Sequence, residues 1–323
     1  MKQRLTFVFL ALIASFSAAA ADADRIDRDP GKLRLASVNA VVIDASSHRS
    51  VYSKGADDVT PIASLTKLMT AIVTLDAQLP MDESIAIDME DFDYLKGSHS
   101  RLRMGATLPR REMLRIALMS SENRAASALA RSYPGGTEAF VHAMNEKARE
   151  LGMTRTSYAD PTGLSARNVS TANDLATLVA TAAEYPEIRD FSTTPSHFVE
   201  VQPSGQLLGF NNTNGLVKNS GWNIHLSKTG YIREAGKCLV MLATIASKPF
   251  VIVLLDSAGK YTRQGDAQRV RDWLETGRAS VLPGTTKGAT KSAKVKTVAY
   301  TTPSRAKRAV NARPVSQSKT ARA

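Results

Sequence analysis

The sequence predicts an α/β fold in which a mostly antiparallel sheet is flanked by helices, with a helical lobe in the middle of the chain. Three observations predict it. Strand patterns occur near the start of the chain and again near its end, helical patterns fill the stretch between, and the late strands are joined by hairpin-length connections such as residues 246–249.

The elements follow in order. Residues 38–44 and 48–54 read as two strands joined by a polar turn at 45–47, an N-terminal hairpin. Ser64 then opens a run in which Leu65, Leu68, Ile72 and Leu75 recur with helical spacing, which predicts a helix with Ser64 at or beside its first turn. Further helical patterns occupy 113–119, 124–131, 138–151 and 173–183, separated by the turn signals Pro134-Gly135-Gly136 and Asp160-Pro161-Thr162-Gly163. Strand patterns return at 224–228, 238–245 and 250–255, and an amphipathic helix at 262–276 closes the series.

The 323 residues fit one catalytic-size domain, 35–276, with appendages. At the start, Lys2 and Arg4 precede an apolar run over 5–16 and then Ala18, Ala19, Ala20 and Ala21. That order predicts a secretory signal over 1–21, cleaved near Ala20 or Ala21, followed by a linker over 22–34, in an exported protein. The apolar run falls short of the roughly 20 residues needed to span a bilayer, so no transmembrane segment is expected after cleavage.

The net charge of +12 is unevenly distributed: no acid follows Glu275, while eleven lysines and arginines do. Residues 1–275 therefore carry +1, and loss of the signal leaves a body near −1. The alkaline pI belongs to residues 277–323, which are rich in Ala, Thr, Ser, Lys and Arg, poor in large apolar residues, and expected to be a disordered basic tail. With no aromatic beyond Tyr300, this tail does not predict specific nucleic-acid binding; weak, salt-sensitive attraction to anionic wall polymers is the expectation.

His48, His99, His142, His197 and His225 are scattered and no paired cysteines occur, so neither a metal site nor any other cofactor is expected. Cys238 sits in an apolar run and reads as a small buried strand residue. Gly135-Gly136 lacks the Lys-Ser/Thr of a phosphate loop and reads as a turn, and Asn168-Val169-Ser170, a glycosylation acceptor by pattern, carries little weight.

Three motifs carry the chemistry: Ser64-Leu65-Thr66-Lys67, Ser121-Glu122-Asn123 and Lys228-Thr229-Gly230. Singly they are weak, because S-x-x-K recurs at Ser257 and Ser316; only Ser64 opens an amphipathic helix, where a three-residue offset brings Ser and Lys together. A serine hydroxyl needs a base, and Lys67 serves only when neutral. Detuning an ammonium to near neutrality destabilises it by roughly 4 kcal/mol, for which burial, the helix dipole and the neighbouring cation Lys228 are the expected sources. The Ser64 and Tyr231 backbone N–H groups are expected to receive the oxyanion, Ser121 to relay a proton to the leaving amine, Asn123 to position lysine and substrate, and Lys228 with Thr229 to bind a carboxylate.

In this order and spacing the motifs resemble the S-x-x-K, S-x-N and K-T-G set of penicillin-binding proteins and serine β-lactamases. The chain is most similar to the low-molecular-weight D-alanyl-D-alanine endopeptidases, through PIASLTKLMTA (61–71), ALMSSENRAA (117–126), PTGLS (161–165) and residues 219–230 and 258–262. The resemblance covers about residues 35–276. It implies a penicillin-binding-protein fold with Ser64 at the junction of sheet and helical lobe. It also implies a periplasmic location, peptidoglycan peptides as substrates, β-lactams as covalent inhibitors, no cofactor, and catalytic roles for Ser64, Lys67 and Ser121. Asn123, Lys228, Thr229, Gly230 and Tyr231 then take the substrate. No glutamate lies between Glu150 and Glu184 to activate a deacylating water, so a class A β-lactamase is not expected.

D-Ala-D-Ala carboxypeptidases of this kind often carry a second β domain and a C-terminal amphipathic helix. Neither pattern follows Thr276, which favours endopeptidase over carboxypeptidase. A non-catalytic wall binder acting through the basic tail is the alternative of another class.

Overall fold

A computed structural model describes residues 26–282. In chain order the strands are β1 (Asn39–Asp44), β2 (Arg49–Lys54), β3 (Thr60–Pro61), β4 (Ser84–Ala86), β5 (Thr107–Pro109), β6 (Val169–Ser170), β7 (Ser196–Val201), β8 (Gln206–Asn211), β9 (Asn223–Ile232), β10 (Gly236–Ile245) and β11 (Lys248–Ser257). The helices are α1 (Lys67–Asp76), α2 (Arg110–Met119), α3 (Asn123–Arg131), α4 (Gly136–Glu150), α5 (Ala172–Ala182), α6 (Pro186–Thr193) and α7 (Thr262–Thr276).

The predicted pairing of the two chain ends is what forms. Five strands run in the order β2-β1-β11-β10-β9, every neighbour antiparallel. β11 is the central strand, flanked by β10 and β1, and across the β1–β11 pair Val41 stands opposite Val253 and Val42 opposite Ile252. Their β-branched runs suit strands buried on both faces, because alternate side chains enter two different cores. Val251, Val253 and Leu255 of β11 face the core shared with the helical lobe, whereas Phe250, Ile252 and Leu254 face the core under α7. A one-residue slip would exchange the two sets, so the pattern fixes the register. The two-residue turn Ala246-Ser247 between β10 and β11 has both residues left-handed, the twist-matched hairpin geometry.

Residues 186–211 carry elements that the patterns above do not reach. Pro186 opens α6, where its fixed φ suits the first helical position, and β7 and β8 form a separate ribbon. α6 packs beside β9, so this stretch helps to wall the functional end of the sheet.

On either side of the 35–276 stretch, chain also packs on the sheet's far face. Leu33 and Leu35 are buried in the α7 core, Arg28 Nε donates to Leu274 O at 3.0 Å, and Ser280 N donates to Lys32 O at 2.9 Å. Buried Asp266 ties α7 to this segment by accepting from Ala36 N (3.0 Å), Ser37 N (2.7 Å) and Ser37 Oγ (2.6 Å). Residues 1–25 and 283–323, where the secretory signal and nearly all of the basic tail are expected, lie outside the described residues.

Trp273 is the largest fully buried side chain; it meets Tyr52 edge-on and donates from Nε1 to Asp29 O at 3.1 Å. Trp273→Ala is expected to lower unfolding stability by about 3–5 kcal/mol, measured by urea denaturation, since the cavity lies between rigid sheet and helix.

Candidate active site

Ser64 lies where β9, α1 and the helical lobe meet. The predicted helix start is tighter than an α-helix: Ala63–Thr66 form a 3-10 turn, and α1 begins only at Lys67. Ala63, just before the serine, has φ +49°, and Ser121 has φ +62°, two non-glycine residues held in the left-handed region. Such conformations persist only where the surroundings enforce them, and at a site they fix the direction of the next group.

Two glycines pack closely against the turn. A Cβ on Gly163, which has φ +83°, would fall 2.0 Å from Ala63 O. A Cβ on Gly230 would stand 2.9 Å from Ile62 O and 3.2 Å from Ser64 N. The K-T-G glycine is thus a matter of clearance: without a side chain, β9 comes close enough for its backbone to share a small space with the Ser64 N–H.

Lys67 is 1% exposed, and its Nζ has three neighbours, Ser64 Oγ at 3.0 Å, Asn123 Oδ1 at 2.7 Å and Thr162 O at 2.6 Å. Burial brings its pKa down to about 7, against the opposing pull of the Asp160 and Glu122 carboxylates. Of the three sources expected from sequence, burial is the one that dominates.

The other two motifs converge on this group. Asn123 opens α3, with Glu122 as its N-cap. Lys228 is also buried; its Nζ donates to Ser121 Oγ at 2.9 Å and to Thr229 O at 2.9 Å, and its pKa falls well below the ordinary value through burial, with Lys67 and Arg263 adding repulsion. Lys228 therefore points at Ser121. The Thr229 hydroxyl donates to Thr213 Oγ1 at 2.7 Å, and Arg263 donates to Gly230 O at 2.9 Å. Tyr231 is exposed on β9, with the Lys237 ammonium 4.0 Å from its ring centroid.

Several residues of this environment carry no predicted role. Asp160 organises the loop that supplies Thr162 O: its Oδ1 accepts from Thr162 N (2.7 Å) and Gly163 N (2.8 Å), and its Oδ2 from Ser165 N (2.9 Å). Asn168 is fully buried and saturated, accepting from Ala159 N and donating to Thr66 Oγ1 and Asp160 O, so the glycosylation-like triplet is a structural latch. The Asp-x-Thr-Gly run is the local signal for such an Asx-type turn. Thr213 and Ser98, met only through the fold, leave no comparable signal.

Elsewhere, Cys238 is buried in β10 with its thiol pushed up to about 11 by burial, an inert packing residue. His197 meets Glu112 and His225 meets Thr244, both away from Ser64.

A serine hydroxyl touching a buried, near-neutral lysine at the junction of an antiparallel sheet and a helical lobe defines a serine acyl-transfer enzyme of the penicillin-binding type. The chain belongs to the peptidase family described as D-alanyl-D-alanine carboxypeptidase, whose model matches residues 26–259. It is 50% identical over 258 residues to the D-alanyl-D-alanine endopeptidase of Pseudomonas aeruginosa, covering 80% of this chain and 83% of that one. It is 47% identical over 249 residues to the D-alanyl-D-alanine endopeptidase of Escherichia coli K12, covering 77% and 80%. Among solved structures it resembles the Streptomyces K15 DD-transpeptidase, with TM-score 0.69 at 28% identity over 75% of this chain and 97% of that one. A D-alanyl-D-alanine carboxypeptidase from Mycobacterium tuberculosis gives TM-score 0.67 at 26% identity, covering 74% and 91%.

Two outcomes test this geometry. The Lys67 ammonium, followed by NMR of labelled lysine, is expected to titrate near pH 7, far below the ordinary lysine value of 10.5. Because its folded pKa lies below its unfolded value, the unfolded chain holds the proton more tightly between these limits. The Lys67 contribution to stability is therefore least favourable below pH 7 and improves as pH rises from about 7 toward 10. Gly163→Ala is expected to destabilise by more than about 2 kcal/mol in chemical denaturation, since it adds a left-handed alanine and a clash with backbone.

Proposed function

We propose that the protein is an exported, penicillin-sensitive DD-endopeptidase that hydrolyses D-alanyl cross-links of peptidoglycan through an acyl-enzyme on Ser64. The observation that carries the reading is the contact between Ser64 Oγ and the buried Lys67 Nζ at 3.0 Å. The family supports serine DD-peptidase chemistry, and the names of the two relatives near 50% identity favour a cross-link over a terminal D-alanine.

Neutral Lys67 takes the Ser64 proton as Oγ attacks the D-alanyl carbonyl. The developing oxyanion is received by the Ser64 N–H and by an N–H of the neighbouring edge strand, assigned to Tyr231. The leaving amine takes its proton from the Ser121 hydroxyl, which Lys228 replenishes across their 2.9 Å contact. Asn123 holds Lys67 through Oδ1, and Thr229 with Lys228 faces the carboxylate beside the scissile amide. Once the amine has left, Lys67 releases the Ser64 proton to solvent and Lys228 regains one from it; neutral Lys67 then takes a proton from the water that attacks the ester and returns it to Ser64 Oγ as the acid leaves.

Penicillin follows the first half only. Its leaving group stays tethered after ring opening and occupies the place of the incoming water, and neither carboxylate beside Lys67 is free to drive that water. Asp160 is committed to its own loop, while Glu122 is buried, its pKa raised by burial, and caps α3. Export, a periplasmic location and any attraction of the basic tail to anionic wall polymers are part of this proposal and concern residues outside those described.

Purified mature protein and its Ser64→Ala variant, given muropeptide dimers and monomeric pentapeptide, are expected to differ in one product class: dimers split to monomers by the wild type alone, read by mass spectrometry. The variant should lose at least about 10⁴-fold in kcat. Loss of a terminal alanine with dimers intact would reassign the protein as a carboxypeptidase, and rapid penicillin turnover would overturn the tethered acyl-enzyme.

A further inference from the structure

Between β4 and β5 the chain leaves the helical lobe and returns through residues 93–98, a segment with no helix or strand of its own. It is nonetheless built. Asp93 Oδ1 accepts from Leu95 N and Lys96 N, both at 2.8 Å, and its Oδ2 accepts from Ser98 N at 2.7 Å. Burial would raise this carboxyl, but the Ser98 hydroxyl and the three backbone N–H groups outweigh it and hold Asp93 below its ordinary value.

Lys96 and Ser98, two residues apart, reach different elements of the fold. Ser98 Oγ accepts from Asn123 Nδ2 at 2.9 Å, and Asn123 Oδ1 in turn accepts from Lys67 Nζ. The Ser98 hydroxyl gives its hydrogen to Asp93 and so only accepts from Asn123, which leaves the amide's acceptor end, Oδ1, facing the lysine. Lys96 reaches the other way, and its Nζ pairs with Glu234 Oε1 at 2.6 Å. Glu234 lies in the turn between β9 and β10, three residues after Tyr231. A continuous series thus runs from Lys67 through Asn123, Ser98 and Asp93 to the Lys96–Glu234 ion pair, and Tyr94 and Leu95 stand exposed along it.

We infer that residues 93–98 form a strap, closed by the Lys96–Glu234 ion pair, that bounds one end of the cleft and orients Asn123 toward Lys67. Lys96, Ser98 and Glu234 are then positioning residues for acylation of Ser64. The inference rests on Ser64 being the acylated residue, but not on which peptide is cut. An exposed ion pair adds little to global stability. Its consequence is local: it holds the edge strand and the helical lobe at one separation, the separation at which a bound chain meets both Asn123 and β9.

The test is a charge exchange in the full mature protein: Lys96→Glu, Glu234→Lys, and both together. Penicillin acylation of Ser64 is measured as a second-order rate, and kcat and KM are measured on muropeptide dimers. Each single reversal sets like charges face to face and is expected to slow acylation by about five- to ten-fold, with the double variant returning to within about three-fold of wild type. Ser98→Ala is expected to slow the acylation step itself, and Ser98→Thr, which keeps the acceptor oxygen, to restore it. On dimers the single reversals are expected to raise KM more than they lower kcat, a split that a merely structural role would not produce. Wild-type acylation rates in the single reversals, a double variant as slow as either of them, or an unaffected Ser98→Ala would overturn the strap. If a reversal does not fold, Lys96→Met in the same assay is expected to show the fall, and a wild-type rate there overturns it equally. A wild type that leaves dimers intact while penicillin acylation follows the charge exchange would remove the endopeptidase reading and leave the strap standing.

Discussion

The burial of the Lys67 ammonium is the constraint on which the rest of the site depends. In water that group would be protonated at any physiological pH and useless as a base; taken out of water, it becomes neutral near pH 7. Burial alone would not keep it in place. Three acceptors, from Ser64, Asn123 and the Thr162 carbonyl, hold Nζ in one position, and each is held in turn: Asn123 by Ser98, Thr162 by the turn around Asp160, and Ser64 by a 3-10 turn packed closely against two glycines. Placing the negative groups of Asp160 and Glu122 nearby limits how far the lysine is detuned. A base must still take a proton, so a lysine pushed much lower would be no more useful than one left alone.

The sheet is arranged to serve that constraint. β11 is central with β1 and β10 beside it, and these three strands feed both cores, whereas the K-T-G strand β9 is placed at the end of the sheet. A central strand has both edges paired and nothing to offer a peptide. An end strand beside the nucleophile has backbone groups to give, and the close approach allowed by Gly230 brings them to the serine.

Much of this was legible in the sequence. The β-branched runs at 38–44 and 250–255 announced paired strands because an element buried on both faces must be apolar throughout, and the three-residue offset of Ser64 and Lys67 announced a shared face because helical geometry requires it. Less was legible where the deciding contact is distant along the chain. Nothing local marks Ser98 as the partner of Asn123, Thr213 as the partner of Thr229, or Thr162 O as a ligand of Lys67. The α6 helix and the β7–β8 ribbon lack long apolar periods, since each buries only a narrow face against elements already in place. Lys228 reads in isolation as an anion-binding cation, and only the fold turns it toward Ser121.

The position of β9 has a further consequence, for solubility. An unpaired strand edge is a template for any extended chain, including the edge of another copy of the same protein, and such edges are where sheets join into aggregates. Here much of the edge is already spoken for: Ser227 N donates to Ser192 Oγ of α6, and Gly230 lies against the Ser64 turn. What remains is a short, interrupted edge, a poorer template for another copy than a long open strand would be.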